Sequence, residues 1–359
     1  ESGASKQLRS TAWELCLFGT GIMKGPFTEE KEYPNWEAGQ YKPTLKDVPY
    51  SSHVSFWNFY PDPDAANMEE AEWVIERHKM SKTQLNSLRY RPSFIEERID
   101  EAIFKGYNYQ KKSWESVMEE SPGSLTIDRY EVLEFWGYVP VEDLEDYGIK
   151  VNIKNTKQVN VNIWVCNGEV LRLVLNPFKP ARIPYYAIPY EINPYSFFGI
   201  GVAENMEDTQ TLMNGFMRMS VDNAILSGNL LIEVDETFFS NDQDLTVYPG
   251  KVFRREGGPP GQAIYATQWP NVSQQNMMMF DKARVLADES TGLPSYAHGQ
   301  TGVMGTGRTA SGISMLMNAA NGAIRTVVKN LDDYLIQPLG EGYFAWNMQF
   351  DPDPDIKGD

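Results

Sequence analysis

Between residues 202 and 225 the apolar positions Val202, Met206, Met213, Phe216, Met217, Val221, Ala224 and Ile225 recur at spacings near three and four, with Asp208, Gln210, Asn214, Arg218 and Asp222 between them. This period predicts a helix of about twenty-five residues, roughly 35–40 Å long, with one buried stripe and a stop at Gly228 and Asn229. A longer stripe of Ile313, Leu316, Met317, Ala320, Ile324, Val327, Val328, Leu331, Leu335 and Leu339 predicts a helix from Thr309 onward, kinked near Pro338. Shorter helices are expected over residues 6–18, ending at Gly19, over 273–288 with Met277, Phe280, Ala283 and Leu286, and as a pair over 81–106 split at Pro92. Aromatic and β-branched runs predict strands at 54–60, 72–77, 130–136, 159–166 and 170–175. Asn167-Gly168 between the last two is a hairpin signal. Residues 230–234 and 251–255 read as a further strand pair beside the Gly257–Gly261 breaker, and the Pro-, Gly- and charge-rich 25–49 as a loop or an edge extension.

Alternating helical and strand-rich blocks without internal repeats give a mixed α and β protein, and composition leaves that picture in place. With 359 residues, 42% of them hydrophobic and 13% aromatic, the chain can bury a core of domain size. No apolar run approaches the roughly eighteen residues that span a bilayer, and no basic-then-apolar signal opens the chain, so a membrane role is not expected. The only cysteines, Cys16 and Cys166, lie in apolar segments and are expected as buried free thiols in a reducing compartment. Asn271-Val272-Ser273 fits a glycosylation sequon but reads better as the cap of the helix that follows. A net charge of −17 argues against tight phosphate contacts; it is compatible with simple solubility and with an acidic wall past which nucleic acid slides.

Candidate chemistry is sparse. Gly199-Ile200-Gly201 before the first long helix has a dinucleotide-like spacing, but Glu204 stands where a third glycine belongs and would repel a pyrophosphate, which favours a tight turn. Gly302–Thr309 fits the phosphate-loop template except for Arg308 in place of lysine, and the segment before it, with Gly292 and Pro294, has no β-branched run to form the required strand. Of the three histidines, none sits in a nucleophile–base set. Asp62 and Asp64, and Asp351, Asp353 and Asp355, alternate with prolines; they lack the glycine and distal glutamate of a calcium loop and read as turns.

The run Phe198-Gly199-Ile200-Gly201-Val202-Ala203-Glu204, with Asp208-Thr209-Gln210 and Asn214, resembles the portal (head-to-tail connector) proteins of tailed bacteriophages, the short-tailed type in particular. Trp57–Asp64 with Ala71–Arg77 and Met80-Ser81, Thr291-Gly292-Leu293-Pro294, and Arg308–Leu316 resemble, in the same order, the portal wing, the end of the second stem helix and the start of the long helix behind the tunnel loop. The resemblance implies an α+β portal fold: an α/β wing in 1–190, the first stem helix and its lead-in in 191–229, a small β-rich clip in 230–270, a second stem helix in 271–292, a tunnel loop in 293–310, and a long kinked wing helix with the start of a crown in 311–359. It implies that Gln300, Val303, Met304, Thr306 and Arg308 face a DNA channel, and that Met206, Met213, Phe216, Met217, Val221, Met277, Phe280 and Leu286 pack the stem.

The function so implied is a ring, a dodecamer in the family, at one capsid vertex. Genomic double-stranded DNA is packaged and ejected through it without sequence readout. Its implied partners are further copies, the terminase motor, a head–tail adaptor, and capsid and scaffolding proteins; no catalysis, metal or cofactor is implied. Its place is the virion, after assembly in the host bacterial cytoplasm. The alternatives are another phage structural ring or adaptor and, from a different class, a metal-dependent hydrolase using the Asp-Pro runs.

Overall fold

The computed structural model describes all residues except 1–2, 38, 119–127, 147–156, 240–243, 245, 247, 249–250, 255, 258–260, 293–323 and 351–359. The chain divides into two compact units, residues 1–204 with 321–359, and residues 205–320. Helix and sheet are mixed in the α+β manner expected.

The larger unit is built on a five-stranded antiparallel sheet in the order β5–β6–β7–β8–β9, from Phe59–Pro61 (β5), Trp73–Met80 (β6), Tyr130–Pro140 (β7), Gln158–Cys166 (β8) and Glu169–Leu175 (β9). Asn167 and Gly168 join β8 to β9 with positive φ at both residues, which is what the Asn-Gly signal predicts for a tight hairpin. Two short helices, α2 (Lys82–Ser87) and α3 (Glu96–Phe104), flank Pro92. Ser81 opens α2 with a capping box to Gln84, and Leu85, Leu88, Ile99 and Ala102 are buried against Tyr130, Val132, Trp164, Cys166 and Leu171. Helices α4 (Ser113–Met118) and α5 (Val141–Asp146) lie on the opposite face of this sheet, where Glu115 pairs with Arg77 and Leu144 is buried beside Val159 and Val161.

Of the loop or edge extension expected over 25–49, the structure shows the extension: this segment belongs to a second, three-stranded sheet. Helix α1 (Ala4–Phe18) ends at Gly19 and leads into β1 (Thr20–Tyr33), which pairs with β4 (Thr44–Val54) to form a long hairpin; β2 (Trp36–Glu37) and β3 (Gln40–Tyr41) continue it at the tip. The prolines that suggested a loop sit where a sheet tolerates them. Pro26 falls in the register shift between Lys24 and Phe27, and Pro49 lies on the edge strand β4. Strand β10 (Tyr185–Pro189) pairs with the start of β1. Ile22, Val54 and Tyr185 of this sheet meet Phe59, Val74 and Trp136 of the other in one buried cluster.

The last long helix is described from residue 324. It widens into a π-helical turn at Asp332–Ile336 and continues as α8 (Gln337–Phe350). Pro338 lies just past the wide turn, where a normal turn would set its ring against the carbonyl four residues earlier. The irregularity expected at Pro338 therefore sits one turn ahead of it. Leu335 and Leu339 are buried with Leu15, Met23 and Ile188; the part of the predicted stripe before residue 324 lies outside the described residues.

Cys166 is buried and free as expected, but Cys16 is free and exposed, because its side of α1 is not the one that buries Thr11, Glu14 and Leu15. Burial pushes the Cys166 thiol up to about 12. A maleimide is therefore expected to label one thiol per native chain, at Cys16, and a second only after denaturation; peptide mapping of the labelled protein checks this.

In the smaller unit, α6 (Val202–Gly228) is a 27-residue helix followed by β11 (Leu230–Val234), β12 (Ile264–Gln268) and α7 (Ser273–Thr291). The partner of β11 is β12, with Leu230 opposite Gln268 and Val234 opposite Ile264; Lys251–Arg254, expected as that strand, is irregular. Lys251 instead donates to the backbone carbonyl of Asp244 and ion-pairs with its carboxylate. Among the described residues, no helix is long and apolar enough to cross a membrane.

Candidate functional site

The lead-in to α6 is held by three glycines in close backbone contact. A Cβ on Gly201 would lie 2.6 Å from the amide nitrogen of Gly19 and 2.8 Å from the carbonyl of Leu17; one on Gly199 would lie 2.6 Å from the carbonyl of Glu191. Gly19 has positive φ and closes α1 as its C-cap. Two amides of the turn are already used: Gly199 N–H donates to Thr20 Oγ1 at 2.9 Å and Ile200 N–H to Glu191 O at 3.0 Å. The Gly-Ile-Gly run is thus a tight turn seated on the α1–β1 junction.

From this turn α6 carries its large apolar side chains into an unexpected environment. The stripe predicted to be buried is not buried within the subunit: Met206, Met213, Phe216 and Phe280 are half-buried, while Met217, Val221, Met277 and Leu286 are 43%, 50%, 39% and 50% exposed. The buried residues of the two helices are small, Ser220 and Ser227 on α6 and Ala283 and Ala287 on α7. Many of the long apolar side chains of both helices stay exposed in the single subunit. Asn223 ties the helices at one end, donating from Nδ2 to Pro270 O at 3.1 Å and accepting from Val272 N–H at 2.8 Å. The loop residues Gln300, Val303, Met304, Thr306 and Arg308 lie outside the described residues, as do His298 and the Asp351–Asp355 run.

A buried charge cluster among the described residues is one that the sequence reading missed. Glu76 on β6 and Glu134 on β7 are directly opposite each other in the sheet, an arrangement that repels unless a cation intervenes. Lys24 of β1 reaches across from the facing sheet and donates to Glu76 Oε2 at 2.7 Å and Glu134 Oε2 at 2.5 Å. Tyr185 O–H donates to Glu76 Oε2 at 2.7 Å and Trp136 Nε1–H to Glu134 Oε1 at 2.7 Å; His78 Nε2 lies 2.7 Å from Glu134 Oε2, with its ring stacked on Trp164. Burial alone would pull the Lys24 ammonium down, but Glu134 and Glu76 outweigh it and hold it above its usual range. Burial pushes the Glu134 carboxyl up, yet Lys24 and His78 hold it well below the usual carboxylate range.

Glu76, His78 and Glu134 offer ligand atoms within 4.8 Å of one another, a set that could converge on a metal ion. The ammonium of Lys24 already supplies a cation to both carboxylates, so an ion entering there would have to displace a tethered charge. A signal for the cluster was present in the alternation of β7: Val132, Glu134 and Trp136 share one face, and a carboxylate between two core residues implies a buried partner. Of the Asp-Pro carboxylates within the described residues, Asp62 behaves as a turn former, accepting from the backbone amides of Asp64 and Glu72. His53 pairs with Glu14 at 3.0 Å, and Ser55 Oγ donates to the other oxygen of the same carboxylate at 3.1 Å.

A chain with a two-sheet domain, glycines spent on backbone contact, and a helix–hairpin–helix unit with outward apolar side chains has the parts of a structural assembly protein. The phage SU10 portal protein family matches residues 28–357, and the chain belongs to that family. It is a phage portal protein.

Proposed function

We propose that copies of this chain close into a ring at one capsid vertex, with α6 and α7 as the stem, the β11–β12 hairpin in the clip, and the two-sheet unit as the wing. The observation that carries this reading is the outward placement of the stem's apolar side chains. Leu212, Met217, Val221, Ile225 and Leu226 on α6 and Met278, Met279, Val285 and Leu286 on α7 are each between 43% and 60% exposed in the single subunit. So much apolar surface on two neighbouring helices calls for a cover, and the stem helices of adjacent copies supply it. Met206, Met213, Phe216, Met277 and Phe280 join the same packing.

The ring is the passage for genomic DNA during packaging and ejection, and the docking site for the terminase motor and the head–tail adaptor, amid capsid and scaffolding proteins. Gln300, Val303, Met304, Thr306 and Arg308 belong to a loop that touches the moving duplex without reading sequence. The net charge of −17 suits a wall that must not hold phosphates. The glycines at 302 and 305 give the loop its range of backbone angles. Replacing both, Gly302→Pro with Gly305→Pro, is expected to leave ring mass unchanged and to lower strongly the DNA packaged per particle; packaging at the unmodified level removes the loop from the mechanism.

Mass photometry of the purified chain tests the ring directly. A discrete particle near twelve times the 40.8 kDa subunit is expected. A smaller closed ring would point to an adaptor, and a monomer with metal-stimulated hydrolase activity would point to an enzyme.

A further inference from the structure

Charge in the wing unit is sorted to the two ends of one strand. At the start of β6, residues 62–72 contain five Asp and Glu and no Lys or Arg. Asp64, Glu69, Glu70 and Glu72 are exposed there, and Glu142 and Asp143 of α5 add to the same end, because α5 follows directly from the end of β7 that pairs with the start of β6. Beyond the end of β6, residues 79–112 contain eight Lys and Arg against four Asp and Glu, in a chain whose net charge is −17. At about 3.3 Å per residue, the eight residues of β6 hold these ends roughly 25 Å apart.

The basic end is only partly neutralised within the subunit. Arg89 pairs with Asp100, Arg98 with Glu101 and Glu169, and Lys105 with Glu169. Exposed Lys82, Arg91 and Lys112 have no ion-pair partner among the described residues, and neither do Asp64, Glu69 and Glu72 at the other end. Arg172, whose guanidinium lies over the Phe94 ring at 5.4 Å, is held below its usual range by burial, which Glu134 opposes and the like charge of Arg91 reinforces. The exposed guanidinium of Arg91 beside it offers a donor fork that an acidic partner would complete.

We propose that the acidic end of one wing docks against the basic end of the wing in the next copy of this chain. A two-fold dimer through either end would set like against like, whereas a head-to-tail contact sets opposite charges together at every junction, which is the arrangement that closes into rings. This inference rests on the ring proposed above and adds the surface that fixes its order and direction.

A charge-swap experiment tests it. One variant reverses the basic end, Lys82→Glu, Arg91→Glu and Lys112→Glu; a second reverses the acidic end, Asp64→Lys, Glu69→Lys and Glu72→Lys. All six side chains are exposed and none holds a turn or core contact, so melting temperatures near that of the unmodified chain are expected for both. By mass photometry each variant alone is expected to lose the ring at a concentration where the unmodified chain forms it. An equimolar mixture is expected to restore it, since alternating copies again oppose unlike charges at every junction. Rings from either folded variant alone, or no ring from the mixture, would overturn the proposal while leaving the ring itself intact. Normal rings that no longer retain duplex DNA when the basic end is reversed would assign that end to nucleic acid and overturn it too. Absence of a ring from the unmodified chain would instead count against the portal assembly as a whole.

Discussion

Lys24→Met is expected to destabilise the wing unit by roughly 3–5 kcal/mol, the range for removing one partner of a buried ion pair. The methionine removes the cation between Glu76 and Glu134, which face each other across β6 and β7. Most of the loss is the penalty of leaving two carboxylates facing each other away from water. Lys24→Met combined with Glu76→Gln and Glu134→Gln should therefore recover a large part of it.

The pH dependence separates this account from simple loss of packing. In the unmodified chain Glu134 is held below its usual range, so its contribution is present above the unfolded carboxylate value and is lost as pH falls through the depressed folded value. Lys24 is held above its usual range, so its contribution is present below the unfolded amine value and is lost as pH rises through the folded one. The pair thus stabilises the fold across the neutral range. Without Lys24 the buried carboxylates prefer protonation, and the variant should gain stability as pH falls from about 8 to about 5, where the unmodified chain gains none from this pair. Chemical denaturation at several pH values reads both effects; a variant as stable as the unmodified chain at neutral pH would show that the cluster contributes little.

The second large effect is on assembly. Met217→Asp with Val221→Asp changes two side chains that are 43% and 50% exposed in the single subunit, so the fold should survive with melting shifted by no more than surface changes usually cause. In the proposed ring those positions would be covered by a neighbour, and each copy would bury two unpaired carboxylates at several kcal/mol apiece. The expected result is a folded monomer. Rings of unmodified mass from this variant would show that another face of α6 makes the contact.

Much of the fold was legible because the period of the apolar positions matched the period of the element. Helix α6, the split pair α2 and α3 around Pro92, and the Asn167-Gly168 hairpin all follow from local pattern and turn chemistry. The β1–β4 hairpin was legible only as a loop or an edge extension, since Gly25, Pro26 and Pro49 read as loop until the register shift and the edge position are known. Periodicity also found the apolar stripe of α6 but not what covers it. Ser220 and Ser227, the residues α6 does bury, carry no hydrophobic signal. The family resemblance rested on residues 57–64, 71–81, 198–214 and 291–316, and the glycines at 199 and 201 are explained by backbone contact with Gly19, Leu17 and Glu191. Lys24 and its carboxylates were hidden because their pairing joins strands 52 and 110 residues apart.

Electron microscopy of the purified native chain, imaged across a range of protein and salt concentrations, tests the central claim most directly. The account predicts annular particles of about twelve copies around an opening wide enough for a DNA duplex. Fields containing only single subunits or closed particles without a central opening, at every concentration and salt, would contradict it.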